Sequence, residues 1–409
     1  SWTSTTISGI PIINPGNTTD PPQYWDRNTA NNCAALTNFP ASTYCKAMRS
    51  YKGYLIALNV TKTATEYPYM VKWSNPAEPG TLPSSWDETN PSNDSGEKDL
   101  AEGDDVIVDG GQLRETFIIY KENSAHRMDF VGGQYIFNFN KLADFGIMAR
   151  NCWVEVDGMH VVLTKNDIVA TDGVSFNSVL DKQTRRWLFL NIDADNRGNC
   201  FVFKNPYFNE VYIAYPSIGQ TIPNKAVVWN YKDKTVSFTD LPNVYHAAFG
   251  QVDNTLSNSW AGDSDSWASD LTYWGSGDYV PGNSRVIMGS SVPAFYMLDG
   301  SATNAGTAVS SYLERIGLHF DAPEAIKLVK GVRARISGSP GGTVIIKVGS
   351  ASTPYDTPTY TSMTHTIGTT LKCDCLVSSR YMAIRFESGT ATQWRLDSFD
   401  MDVEQAGMY

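Results

Sequence analysis

From Tyr51 to about Gly300 the chain is a succession of short runs of β-branched and aromatic residues, each broken by a turn carrying Asp, Asn, Gly or Lys. The runs include KGYLIALNV, YMVKWSNP, LRETFIIYKENSAHRMDFVGG, NCWVEVDGMHVVLTKNDIVATDG, CFVFKNPYFNEVYIAYP, KAVVWNYKDKTVSF and SRVIMGSSVPAFYMLDG. No stretch gives a long amphipathic helix, and Ser178–Leu190 is the best short candidate. The chain is therefore read as all-β. In NCWVEVDGMHVVLTKNDIVATDG, the segments Val154–Val156, Met159–Leu163 and Ile168–Ala170 are separated by Asp157-Gly158 and Lys165-Asn166-Asp167, which predicts a three-stranded meander. The apolar cores Phe117–Tyr120, His160–Leu163 and Phe201–Phe203 read as equivalent positions. Units recurring every roughly 40–50 residues point to the blades of a β-propeller rather than to a sandwich.

A chain of 409 residues is too long for one ordinary core, and a large closed β architecture absorbs much of that length. After Ser311 the character shifts. LVKGVRARISG, TVIIKVGS, YTSMTHTIG and SRYMAIRFES alternate apolar and polar residues with period two, as in a small antiparallel sandwich. The expected division is a propeller over 1–300 and a C-terminal β-sandwich-like domain over 301–409, joined by the small-residue run Gly300–Ser311. Two segments look irregular. Pro76–Val106, rich in Pro, Asp, Glu and Ser, reads as a long surface loop. Asp253–Asn283 carries Trp260, Trp267 and Trp274 seven apart; the Gly, Ser and Asp between them favour loop and strand with Trp anchors over a heptad helix.

Composition and motifs narrow the chemistry. Hydrophobic residues make up 42% and charged residues 18%, enough for a sizeable core. The net charge of −11 and the lack of a basic stripe argue against gripping nucleic acid through its phosphates. No apolar run reaches transmembrane length, so stable membrane insertion is not expected. Cys33, Cys45, Cys152, Cys200, Cys373 and Cys375 form no C-x-x-C and read as mostly reduced, packed thiols. The stretch NIDADNRGNC, Asn191–Cys200, resembles the opening of a calcium loop. A loop starting at Asp193 would need an acidic ligand at its twelfth position, where Lys204 stands, so a polar turn is expected. GxSxG, HExxH, P-loop and GxGxxG motifs are absent. His126, His160, His246, His319 and His365 are scattered singly, and His160 is expected to be packed or hydrogen-bonded rather than a ligand. Propeller glycosidases need two carboxylates flanking a sugar bond, but 43 acidic residues single out no pair. The Ser-x-Asp-x-Gly-x-x-Trp box of sialidase propellers is not matched by SDSWASD. No catalytic, cofactor-binding or metal-binding residue is assigned.

Longer strings carry a resemblance. DPPQYWD, CKAMRSYKGYLIALNVTK, VKWSNPAEPGTLPSSWD, RETFIIYKENSAHRMDFVGG, ARNCWVEVDGMHVVLTKNDIVATDG, NIDADNRGNCFVFKNPYFNEVYIAYP and NKAVVWNYKDKTVSFTDLPN are similar to tail proteins of short-tailed bacteriophages, specifically the β-propeller nozzle or tail-hub family. SWAGDSDSWASDLTYW and YLERIGLHF…RYMAIRFES…WRLDSFDMDVE resemble that family's later segments. The resemblance spans nearly the whole chain. It implies a non-enzymatic virion protein, made in the host cytoplasm, that assembles as a homo-hexameric ring around the DNA channel. Its implied partners are other tail proteins, such as adaptor and fibres, and DNA passing without specific binding. The family carries a further stretch before SWTSTTISGIPIINPG, which implies that Ser1 is not the natural start. The acidic stretch Glu97–Asp109 is the candidate for part of a DNA-repelling bore. The alternative from another class is a receptor-binding or glycan-hydrolysing tail protein on a propeller scaffold; a third is an extracellular lectin-like propeller from a cell.

Overall fold

The computed structural model describes residues 2–133, 135–251, 284–292, 294–299, 301 and 303–408. The tryptophan series at 260, 267 and 274 lies outside these residues, as do Gly300 and Ala302 of the expected boundary run. The chain divides into two compact units, Ser1–Leu298 and Asp299–Tyr409, against the division at 300/301 read from sequence.

The first unit is a β-propeller. Its described residues form six antiparallel sheets in chain order, each a simple meander. Sheet 1 is Thr3–Ile7, Ile10–Asn14, Gln23–Tyr24 and Ala34–Ala35; sheet 2 is Thr43–Tyr51, Tyr54–Lys62, Thr65–Trp73 and Gly96–Asp99. Sheet 3 is Ile107–Leu113, Thr116–Lys121, Ala125–Phe130 and Phe137–Ala143. Sheet 4 is Trp153–Val156, Met159–Leu163, Ile168–Thr171 and Phe176–Ser178; sheet 5 is Phe201–Asn205, Glu210–Tyr215, Lys225–Asn230 and Thr235–Asp240. Sheet 6 shows three strands, Val244–Gln251, Ser284–Ser290 and Phe295–Met297.

The burial pattern explains why the sequence runs are continuously apolar rather than alternating. A second strand has a neighbouring sheet against each face, so both sets of side chains are buried. Tyr54–Lys62 is buried at every position but the last, and Thr116–Lys121 and Glu210–Tyr215 at every position but the first. Fourth strands lie at the rim; Phe176–Ser178 is exposed throughout. The apolar clusters accordingly sit between sheets. One joins sheets 1 and 2, a second sheets 2 and 3, a third sheets 3 to 5, and a fourth sheets 5 and 6.

The predicted meander in sheet 4 is present, extended by one residue at each end to Trp153 and Thr171. Asp157 and Gly158 turn its first hairpin with φ of 49° and 72°, the left-handed pair that matches strand twist. The equivalence drawn between apolar cores needs one correction. Phe117–Tyr120 and His160–Leu163 lie in second strands, whereas Phe201–Phe203 lies in a first strand. The true counterpart in sheet 5 is Val211–Tyr215, and the slip arises because the first strand of this sheet, Phe201–Asn205, is also buried on both faces. The segment Pro76–Val106 is more than a loop: it supplies the strand Gly96–Asp99, and Trp86 within it is 1% exposed. The helix expected over Ser178–Leu190 runs Lys182–Asn191, with Asp181 capping the backbone N–H groups of Gln183 and Thr184.

The second unit is a two-sheet antiparallel sandwich. One sheet orders Ser311–Leu318, Tyr381–Ser388, Thr343–Ala351 and Thr359–Thr366; the other orders Cys373–Ser379, Ala325–Gly338 and Trp394–Met408. Val344, Ile346 and Val348 alternate inward to meet Val329, Val332 and Val377 across the core. Five of the six thiols are buried or half-buried and all are unpaired; only Cys33 is exposed.

Candidate functional site

The first strands of sheets 1 and 2, 2 and 3, 4 and 5, and 5 and 6 pack side by side, which brings them to the centre of the propeller. There the structure gathers a polar cluster that sequence reading did not single out. Asp109, on the first strand of sheet 3, is fully buried. Its carboxylate accepts from Arg49 Nε (2.9 Å) and Nη2 (2.6 Å), in a bidentate pair with the first strand of sheet 2. It also accepts from the backbone N–H of Gly110 (2.8 Å) and Asn151 (2.9 Å) and from the Trp153 indole (3.1 Å). Five donors fill the acceptor capacity of one carboxylate. Arg49 is equally occupied. Its Nη1 donates to the carbonyl of Ser4 (3.0 Å), and its Nη2 also donates to Asn151 Oδ1 (2.8 Å). Asn151 Nδ2 in turn donates to the carbonyl of Trp2 (2.8 Å). Sheets 1, 2, 3 and 4 are thus tied at the axis by one carboxylate and its donors.

Local sequence sets this geometry. Gly111 follows Asp109-Gly110 in an inner strand, and a Cβ there would sit 2.0 Å from the Trp153 ring. The glycine lets the indole lie against the strand, where its N–H reaches Asp109 and its face receives the Arg49 guanidinium at 5.4 Å. Glycines inside a strand pattern are the one sequence signal that marks this close approach. Trp153 also packs against His160, its ring tilted by 35° and the centroids 4.6 Å apart. His160 Nε2 donates to the carbonyl of Gln112 (2.8 Å), which leaves Nδ1 to accept from the Tyr120 hydroxyl (2.8 Å). Burial pushes the imidazole down to about 4, so His160 is a neutral, fully hydrogen-bonded packing residue, as its place in an alternating strand led us to expect.

Two further sets of carboxylates are held in ion pairs. Glu88 and Glu97 share Lys72 and Lys62, with Lys72 buried beneath them. Burial raises the Glu88 carboxyl most, but the hydrogen bond from Lys72, a backbone hydrogen bond and the charges of Lys72 and Lys62 together outweigh it, and the net shift is downward. Asp105 pairs with the fully buried Lys121 (3.0 Å). Of the acidic stretch Glu97–Asp109, then, three members are committed to ion pairs, and Asp99, Glu102 and Asp104 are the exposed acids. Every carboxyl with a resolved shift among the described residues is lowered, by charge-assisted or backbone hydrogen bonds. A glycosidic general acid requires the opposite, a carboxyl held up near neutrality.

NIDADNRGNC is a structured turn. Asp193 Oδ2 accepts from the backbone of Gly219, and Oδ1 from the backbone N–H groups of Asp195 and Asn196 and the Asn196 side chain. A short 3-10 turn, Arg197–Asn199, leads into Phe201–Asn205, where Lys204 donates to the carbonyl of Glu155 (2.8 Å). The remaining histidines are dispersed: His126 beside Ser124, His246 against Phe201, and His365 and His319 in the second unit. Among the described residues no group of three or more His, Cys, Asp or Glu is placed to hold a metal. A shallow depression of about 450 Å³ lies over Asn38, Pro40 and Ser84–Glu88; its only carboxylates are Asp87 and the lysine-bound Glu88.

No family model and no curated protein matches the chain. Solved structures give only remote likeness. A Synechocystis apocarotenoid oxygenase variant aligns over 61% of this chain and 62% of its own, at 8% identity and a TM-score of 0.35. An exo-β-1,3-galactanase from Phanerochaete chrysosporium covers 98% and 95%, at 9% identity and 0.30, and the Bacteroides ovatus xyloglucan PUL GH43B covers 98% and 97%, at 9% and 0.30. The chain spans about three fifths of the length of the oxygenase. At these scores the fold description rests on the sheet order itself.

Proposed function

We propose that the protein is a structural component of a short-tailed bacteriophage tail, a nozzle or tail-hub subunit that assembles as a homo-hexameric ring around the DNA channel through which the genome leaves. The observation that carries this reading is the occupation of the propeller centre. Catalytic propellers need reactive groups with spare valence in that region; here Asp109 spends all its acceptor capacity on five donors that clamp three sheets together, and Arg49 carries the tie on to a fourth through the Ser4 carbonyl. A scaffold that must hold a bore open under the passage of DNA benefits from such clamps. The chain-wide resemblance supports a role in the tail, and the net charge of −11 suits a surface that must not retain DNA. Adaptor and fibre proteins are the partners this reading requires, and the virion its location.

A glycan-hydrolysing reading would need a carboxyl raised toward neutrality, and among the described residues the resolved shifts run the other way. Sedimentation velocity of the purified chain tests the proposal. A closed ring has a mass six times the 45.1 kDa of one chain, stable to dilution. Steady release of sugar from bacterial polysaccharides would overturn it.

A further inference from the structure

We infer that the outward face of the four-stranded sheet in the second unit is a binding site for a neutral saccharide chain. The assignment concerns this unit alone and stands independently of the tail reading. Strand register places Tyr312 opposite Glu387, Glu314 opposite Arg385, Lys347 opposite Arg385, and Gly349 opposite Tyr360, all on the face away from Val344, Ile346, Val348, Ile384 and Phe386.

Three features of that face match a pyranose. First, it offers two fixed aromatic surfaces. Tyr312 is 60% exposed and its ring stacks on the Arg385 guanidinium at 4.1 Å. Tyr360 lies across the sheet because Gly349 has no side chain: a Cβ there would meet the tyrosine ring at 2.7 Å. Its hydroxyl reaches over to Glu314 Oε1 at 2.5 Å, on the strand at the opposite edge. Sugar rings present flat C–H faces to such platforms. Second, charged hydrogen-bonding groups lie between the rings and are held rigid. Arg385 Nε donates to Glu387 (2.7 Å), Lys347 bridges to Glu387 (2.5 Å), and Arg385 faces Glu314 (3.6 Å). These four side chains keep between about a fifth and a third of their surface open, so they meet a ligand with little ordering left to lose. Third, the patch is charge-balanced, two cations against two anions. It offers no net attraction to phosphate, nucleic acid or a charged peptide, which leaves a polyhydroxylated neutral ligand as the complementary chemistry.

The test uses the full chain with maltohexaose, cellohexaose, mannohexaose and heparin as probes, followed by ligand-observed NMR and calorimetry at millimolar sugar. The expected result is saturable binding of at least one neutral hexasaccharide. Tyr312→Ala should weaken it about tenfold, the loss of one aromatic contact, while Tyr312→Phe retains it. Tyr312 is exposed, and an unchanged thermal transition of the second unit confirms that the variant folds. Binding of heparin alone, equal binding by wild type and Tyr312→Ala, or no binding of any neutral probe each overturns the assignment.

Discussion

Asp109→Ala is the substitution that most sharply separates a structural propeller centre from a reactive one. It removes the acceptor of five hydrogen bonds and leaves Arg49, whose side chain is 13% exposed, without its counter-ion. Each charge-assisted bond is worth about 1.5–3 kcal/mol, but such terms do not add, and breaking a buried pair from one side costs about 3–5 kcal/mol in total. For a unit of this size that corresponds to a fall of about 10 °C in melting temperature, on the scale of roughly 2–4 °C per kcal/mol. Asp109→Leu combined with Arg49→Met replaces the pair by apolar groups and should recover part of the loss, because no charge is left stranded, while the N–H groups of Gly110, Asn151 and Trp153 still lack their acceptor. The assay is urea and thermal unfolding followed by near-UV circular dichroism, with Trp153 as a reporter beside the mutated group. The sign is diagnostic. A carboxylate kept for chemistry is held at the expense of stability, so its removal leaves a protein unchanged or stabilised. An Asp109→Ala variant within about 1 kcal/mol of wild type would refute the clamp.

Three further outcomes follow from packing. His160 is held down to about 4 against 6.5 in the unfolded chain, so its contribution is fully present above pH 6.5 and is lost as pH falls from 6.5 toward 4, at most about 3 kcal/mol. His160→Gln, which can keep both hydrogen bonds, should show a shallower decline in urea midpoint between pH 7 and 4.5; an unchanged slope defeats the assignment. Thiol labelling of the native protein should modify Cys33 rapidly and Cys375 slowly, with Cys45, Cys152, Cys200 and Cys373 reacting only on unfolding. Gly111→Ala drives a methyl into the Trp153 ring and should cost about 1–3 kcal/mol, read as a lowered urea midpoint with unchanged slope.

Much of the fold was legible because second strands buried on both faces leave unbroken apolar runs, and hairpin turns such as Asp157-Gly158 punctuate them. The same double burial hid which strand of a sheet a run belonged to, hence the misplacement of Phe201–Phe203. In the second unit the strand Thr343–Ala351 was visible through its period of two. Ser311–Leu318, at the sheet edge, was not, since most of its residues are exposed. The Asp109 cluster was invisible for a different reason. Its members come from positions 49, 109, 151 and 153 on three sheets, and no spacing rule links groups that only ring geometry brings together. Gly110-Gly111 was the local hint. Pro76–Val106 misled through composition: its acids and prolines mask the buried Trp86, and the lysines that neutralise Glu88 and Glu97, Lys62 and Lys72, come from the preceding strands.

The most direct test of the whole account is an electron cryo-microscopy reconstruction of the phage particle carrying this chain. A nozzle or tail-hub subunit would appear there as six copies in a closed ring around the distal DNA channel, each copy a propeller followed by a sandwich, with acidic side chains outnumbering basic ones on the bore. A single copy mounted on the side of the tail, a bore lined mainly by lysine and arginine, or absence of the chain from the particle would contradict it.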